Sequence, residues 1–230
     1  PAVDVVDEST EPFSLGNSLV VATVQPTTLA DFERNAAAID PAAQPLLPAY
    51  RTPAQATFFR YRTGATPTLA DGERTRLAPQ FYYYVGSLGV LGEYTEVSQD
   101  VSRGTTRGLR TGTVDSSAWQ LAASWFLTGE DACFRVFKPN SVFDFERDSW
   151  GAFELTARYQ ELEVGGEAFA GGAASFADPA TSARKASGYT LGLNWYLNQN
   201  VKWVLNYEHT RFDGGAAGGQ DRQDEQAVLT

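Results

Sequence analysis

The sequence predicts an all-β protein, a transmembrane antiparallel β-barrel. Three observations predict it: side chains that alternate in character over long stretches, connections that switch between tight turns and long polar loops, and Trp and Tyr gathered near strand ends. Alternation with period two sends successive side chains to opposite faces of a strand.

The clearest strand is 201–210. Val201, Trp203, Leu205, Tyr207 and His209 share one face, and Lys202, Val204, Asn206, Glu208 and Thr210 the other. Just before it, Tyr189, Leu191, Leu193, Trp195 and Leu197 oppose Thr190, Gly192, Asn194 and Tyr196. At 151–161, Phe153, Leu155, Ala157 and Tyr159 oppose Glu154, Thr156, Arg158 and Gln160. At 118–127, Trp119, Leu121, Ala123, Trp125 and Leu127 oppose Gln120, Ala122, Ser124 and Phe126. Residues 56–62, 79–85 and 88–97 alternate less cleanly, and Leu91 falls in the polar set.

The connections 86–87 and 198–200 read as tight turns. Between them, 98–117, 164–188 and 212–224 are rich in Gly, Ala, Ser, Thr and Asp, as surface loops are. Short turns on one rim and long loops on the other are the pattern of outer-membrane barrels. Residues 131–148 break it, being a long segment on the short-turn side. Toward the N-terminus, 19–24 reads as a strand and 25–48 as an Ala/Pro-rich loop with a helical turn at 29–38.

Composition removes several function classes. A net charge of −10 argues against nucleic acid as a partner, because neutralising phosphates needs a basic face. No apolar run approaches the roughly 18 residues of a spanning helix, which excludes a helical membrane protein but not a barrel. Cys133 and His209 are the only residues of their kinds, so a disulfide within the chain, a thiolate metal cluster and Cys–His chemistry are absent. No cofactor and no metal is expected. The chain shows no signal peptide and begins at Pro1, and it reads as a mature or partial chain.

Alternation alone also fits a soluble sandwich with one wet face. Strand length favours the membrane, since soluble strands centre on about five or six residues and these run longer. Trp119, Trp125, Tyr159, Tyr189, Trp195, Trp203 and Tyr207 form the expected lipid-facing girdle.

Several stretches resemble the phosphate-selective outer-membrane porins of Gram-negative bacteria. They are YRTPAQATFFRY from Tyr50, ADGERTRLAPQFYYY from Ala70, GSLGVLGEY from Gly86, AWQLAASWFLTGED from Ala118 and KPNSVFD from Lys138. WGAFELTARYQEL from Trp150, FADPATSA from Phe176 and GLNWYLNQNVKWVLNYEHTRF from Gly192 complete the set, in the same order, over most of the chain after Leu46. The resemblance implies a homotrimer of barrels of about sixteen strands in the bacterial outer membrane, open to small anions such as phosphate. The chain would supply seven or eight of those strands as one partial barrel domain over 1–230, the C-terminal half. Its last strand, begun by EQAVLT from Glu225, would be cut short before the terminal aromatic of the family.

The function expected on that basis is passive diffusion of small solutes and ions, with anion or phosphate preference as its selectivity, and no enzymatic activity. The alternatives are a barrel anchoring an envelope assembly and a soluble β-sheet binding protein. Function in such a channel lies in bore and lining charge. Inward candidates are Arg60, Arg62, Arg158 and Lys202 as an anion path, with Glu93, Glu154, Asn206 and Glu208 beside them. Arginine presents a fixed fork of donors to a phosphate. The plainer alternative is that these bases pair with Glu93, Glu154 and Glu208 across neighbouring strands.

Asp115, Glu130, Asp131, Asp213, Asp221, Asp224 and Glu225 read as solvated loop charges without calcium-loop spacing. Paired carboxylates for catalysis fail, because Glu154 and Glu161, like Glu93 and Glu96, fall on opposite strand faces. Asp71-Gly72 and Asp213-Gly214 read as turns, and the glycine pairs of the loops lack a P-loop lysine. His209 is expected at the membrane interface and Cys133 as an inert thiol.

Overall fold

The computed structural model describes residues 13–14, 47–104, 108–133 and 138–229. The strand expected at 19–24 and the helical turn at 29–38 lie outside these residues. Among the described residues there is no α-helix. The strands are β1 (Phe13–Ser14), β2 (Tyr50–Arg51), β3 (Thr57–Phe59), β4 (Thr68–Leu77), β5 (Gln80–Val85), β6 (Leu88–Arg103), β7 (Arg110–Phe126), β8 (Ala152–Val164), β9 (Ala183–Tyr196), β10 (Lys202–Gly214) and β11 (Glu225–Leu229).

One antiparallel sheet runs β1-β5-β6-β7-β8-β9-β10-β11, with β4 also pairing β6. From β5 onward every strand pairs with its neighbour in sequence, the up-and-down order of a barrel wall. Among the described residues the wall is not closed. β4 and β5 lie end to end along β6, broken at Ala78-Pro79. Proline has no N–H to give the ladder, but its carbonyl still accepts from the Tyr94 N–H at 3.0 Å.

Residues opposite each other in an antiparallel ladder share a face, so the register fixes two surfaces. Tyr94, Trp119 and Glu161 stand in one row, Leu121, Tyr159, Tyr189 and His209 in another. Trp125, Leu155, Leu193 and Leu205 make a third row. Trp119, Trp125, Tyr159, Tyr189, Trp195, Trp203 and Tyr207 all stand on this outer face. Trp119 and Leu155 are each 41% exposed, Leu193 37%, Leu205 51% and Trp203 67%. A soluble sandwich would cover these side chains with a second layer, and among the described residues none covers them. A contiguous apolar band of this extent is disfavoured in water and favoured in lipid.

The inner face packs at its long-loop end. Val101, Val114, Val164, Ala186 and Phe212 form a buried cluster with Leu47, Phe58, Phe59, Tyr61, Phe176 and Ala177 from segments laid against the wall. Space on the outer face is shared locally too: the Phe81 ring lies directly over Gly92, whose missing side chain leaves room for it.

Several expectations about connections and strands need correction. The connection placed at 98–117 is mostly strand, since β6 reaches Arg103 and β7 begins at Arg110. β9 likewise starts at Ala183 inside the expected 164–188 loop, and β10 extends to Gly214. Above the apolar band the outer face turns acidic while the inner face mixes Val101, Val114 and Phe212 with Gln99, Arg103 and Arg110, so the simple alternation of apolar-out and polar-in is lost while backbone pairing continues. Asp71-Gly72 is not a turn between strands but the register shift within β4, where Gly72 takes φ 122°. Residues 56–62 do not form a wall strand. Only Thr57–Phe59 is extended, paired with Tyr50–Arg51 in a separate two-stranded sheet.

The short-turn rim holds the expected turns at 86–87 and 198–200, the second one residue longer at each end because β9 stops at Tyr196 and β10 starts at Lys202. Residues 127–133 and 138–151 are stitched along this rim, with the Ala132 N–H donating to Gly86 O at 2.7 Å and the Phe143 N–H to Leu197 O at 2.7 Å. The Phe143 ring packs edge-on against Trp195 at 5.4 Å, and Phe145 and Trp150 also pack on Phe143. Glu130, expected as a solvated loop charge, is instead buried, accepting from the Thr128 hydroxyl and the Asn140 N–H.

Candidate pore lining

The polar positions of the alternating strands stand together on the inner face. Glu154, Asn194 and Val204 make one row, and Arg158, Thr190 and Glu208 another. Each inner carboxylate has partners. Glu93 accepts from Gln80 Nε2 at 3.2 Å and Gln120 Nε2 at 2.9 Å. Glu154 accepts from Asn194 Nδ2 and the Tyr196 hydroxyl, both at 2.8 Å. Glu208 accepts from the Thr190 hydroxyl at 3.0 Å and pairs with Arg158 Nη2 at 3.3 Å, and Arg158 also donates to Thr190. Three adjacent strands are thereby braced by one polar row.

Of the four cations expected on an anion path, two lie on the wall. Arg158 is held by Glu208, so its charge is largely balanced. Lys202 sits over the Tyr196 ring, Nζ to centroid 5.4 Å. Together with Asn206, Thr156 and Ser124 these residues line an open pocket of about 380 Å³. Arg60 and Arg62 are not on a wall strand. They follow β3 on a segment folded against the inner face, and Arg62 donates to Asp178 at 3.0 Å and to the Ser175 hydroxyl at 3.2 Å. Of the expected pairings with Glu93, Glu154 and Glu208, the structure shows Arg158 with Glu208; the other two acids are held by neutral donors.

The folded-in segment is a hairpin, β2 and β3 joined by a turn at 52–56. The turn is closed by Thr52, whose carbonyl accepts from the Gln55 N–H and whose hydroxyl accepts from the Ala56 N–H. Its aromatic residues drive docking: Phe58 packs on Phe212 at 6.0 Å, Tyr50 stacks on Phe59 at 5.5 Å, and Tyr61 meets Phe59 edge-on at 5.1 Å. The Ser182 hydroxyl donates to Arg60 O at 2.9 Å, Arg222 Nη1 donates to Thr57 O at 2.8 Å, and the Arg62 N–H donates to Phe176 O at 2.8 Å. Burial pushes the Tyr61 hydroxyl well above the ordinary tyrosine range.

More arginines lie on this side than alternation finds. Arg74 and Arg76 of β4 stand opposite Gln99 and Val97 on the inner face. Arg103 holds the 166–175 loop through Ala173 O and Ser175 O, and Arg110 pairs with Glu167 at 2.6 Å over the Phe176 ring. Arg51 faces the wall from the hairpin. The alternation Arg74-Thr75-Arg76-Leu77 is a usable signal in the sequence, masked when Asp71-Gly72 is read as a turn. The outer face at the same level is acidic instead: Glu96, Asp100, Asp115, Glu161, Glu163 and Asp213 all occupy outward register positions. His209, as expected, lies outward, stacked on Tyr189 at 5.4 Å with Nε2 3.4 Å from Asp224. Among the described residues no group of acids, His and Cys is arranged to hold a metal.

An up-and-down wall with an apolar outer band, a polar inner face and a hairpin folded against that face defines a class, the outer-membrane porins. A model of the phosphate-selective porin O and P family matches residues 33–229, and the chain belongs to that family. No curated protein matches the chain.

Proposed function

We propose that this porin is a passive, water-filled diffusion channel of the bacterial outer membrane that prefers anions, phosphate among them. The observation that carries the reading is the segregation of charge at the long-loop end. The chain is acidic overall, yet Arg51, Arg60, Arg62, Arg74, Arg76, Arg103 and Arg110 gather on the inner side while Glu96, Asp100 and Asp115 at the same level of the wall point outward. A narrow passage lined by one sign of charge concentrates the opposite ion.

Arg60 and Arg62 belong to the mouth of the path, and Lys202 and Arg158 to its lower wall. Glu208 offsets Arg158, so the lower wall discriminates less than the mouth. The assembly expected for this family is a homotrimer, and its lipid contact is the Trp119, Trp125 and Trp203 band.

Planar-bilayer reversal potentials in a salt gradient test the reading. Arg60→Ala and Arg62→Ala should each lower the preference for chloride and phosphate over potassium, and Arg158→Ala should change it less. Unchanged ion preference in all three variants would dispose of the anion path. Absence of any conductance in lipid would favour a plugged barrel serving as an anchor.

A further inference from the structure

Between the hairpin and the wall lies a second, smaller pocket of about 220 Å³. We propose that it is a binding site for zwitterionic α-amino acids, a solute class distinct from the anions of the mouth; the proposal rests on the channel reading above. Arg51, Thr52, Pro53 and Phe58 line it from the hairpin, and Glu93, Gln120, Gln160, Leu162 and Ala186 are among the residues that line it from the wall.

Three features of the lining match three features of the solute. The Arg51 guanidinium forms no hydrogen bond or ion pair among the described residues, so its fork is available to a carboxylate. Glu93, held in place by Gln80 and Gln120, accepts one bond at each oxygen and retains a lone pair on each for an ammonium group. Pro53, Phe58, Leu162 and Ala186 supply an apolar wall for a side chain. A simple phosphate site would gain nothing from Glu93, whose charge repels the ligand, and would leave the apolar wall idle. The volume is below the range of drug-sized ligand sites and fits one amino acid.

The test is block of chloride current through the intact protein in planar bilayers by three probes: L-leucine, N-acetyl-L-leucine with its ammonium removed, and L-leucinamide with its carboxylate removed. Leucine should block at a concentration about tenfold or more below either analogue, the value of one charged hydrogen bond. Arg51→Gln and Glu93→Gln should each cost about the same factor for leucine. The double variant Arg51→Glu with Glu93→Lys should recover leucine block, because a zwitterion can bind reversed and the flanking carboxamides can turn their oxygens toward the lysine.

Equal block by leucine and N-acetyl-leucine, or tighter leucine block in Glu93→Gln, would overturn the proposal and leave an ordinary anion site. If the protein passes no current, the channel reading fails on its own. Leucine line broadening in NMR spectra of the protein in lipid, lost in Arg51→Gln, then decides the pocket separately; no broadening would overturn it.

Discussion

Replacing Glu208 by Gln removes one negative charge from the row that braces β8, β9 and β10 while keeping shape and hydrogen-bonding capacity. Glu208 is 6% exposed at its side chain and Arg158 35%, so the Arg158 guanidinium is the part of the pair that solvent and ions reach. In the Glu208→Gln variant the amide oxygen still accepts from the Thr190 hydroxyl and the charged Arg158 guanidinium, and the cost in stability should be about 1 kcal/mol. The electrostatic effect is larger in relative terms. A unit charge acting on an ion roughly 8 Å away in water contributes about 0.5 kcal/mol unscreened. At 0.15 M salt the Debye length is about 8 Å, which leaves about 0.2 kcal/mol. Raising the anion population and lowering the cation population by that amount changes the chloride-to-potassium permeability ratio about twofold. At 1 M salt, where the Debye length is about 3 Å, the change should nearly vanish. Reversal potentials at both salt concentrations measure it. A ratio unmoved at 0.15 M would show that the inner row does not face the ion path, and a shift that survives 1 M salt would show that the substitution altered the bore instead of the field.

Other outcomes follow from the same geometry. Leu205→Arg, on the outer band, should destabilise the protein in lipid by about 2–4 kcal/mol, whereas Asn206→Arg on the opposite face should be tolerated; unfolding in vesicles compares the two directly. Phe58→Ala removes a buried ring from the hairpin contact with Phe212 and should cost about 3–5 kcal/mol locally; conductance should rise and become noisier as the hairpin loosens. Burial holds Tyr61 neutral by raising its hydroxyl above the ordinary value near 10, so its contribution is present below about pH 10 and is lost as pH rises further. Tyr61→Phe should therefore flatten the alkaline loss of hairpin docking, followed by protease nicking of 47–62.

The wall is legible because a membrane imposes its pattern on every spanning residue. Trp203 and Leu205 alternate with Lys202 and Asn206, and the ladder places them on the two faces that alternation assigns. Legibility fades where lipid ends. At Asp100 or Asp115 the outer face is acidic and only scattered valines, Val101 and Val114, point inward, so the residue types mark the strand weakly and the sequence reads as loop where pairing continues. β4 is hidden by a glycine that serves a bulge. Arg60 and Arg62 look like alternate positions of a wall strand because Phe59 and Tyr61 look like the opposing lipid-facing set. The apolar partner of those rings is the inner cluster around Phe176 and Phe212, a tertiary contact with no local signature. The balance of the inner acids is legible only as a set of alternatives, since alternation names a face but not which neighbour a side chain meets.

The anchors of the hairpin join residues far apart in the chain: Arg60 to Ser182 across 122 positions and Thr57 to Arg222 across 165. Wall strands meet their sequence neighbours, with far less loop entropy to overcome. The hairpin should therefore dock last in assembly, once β9 and β10 have arrived, and narrow the passage at that step. Warming reverses that order, so a heated channel should leak large solutes while its wall is still whole.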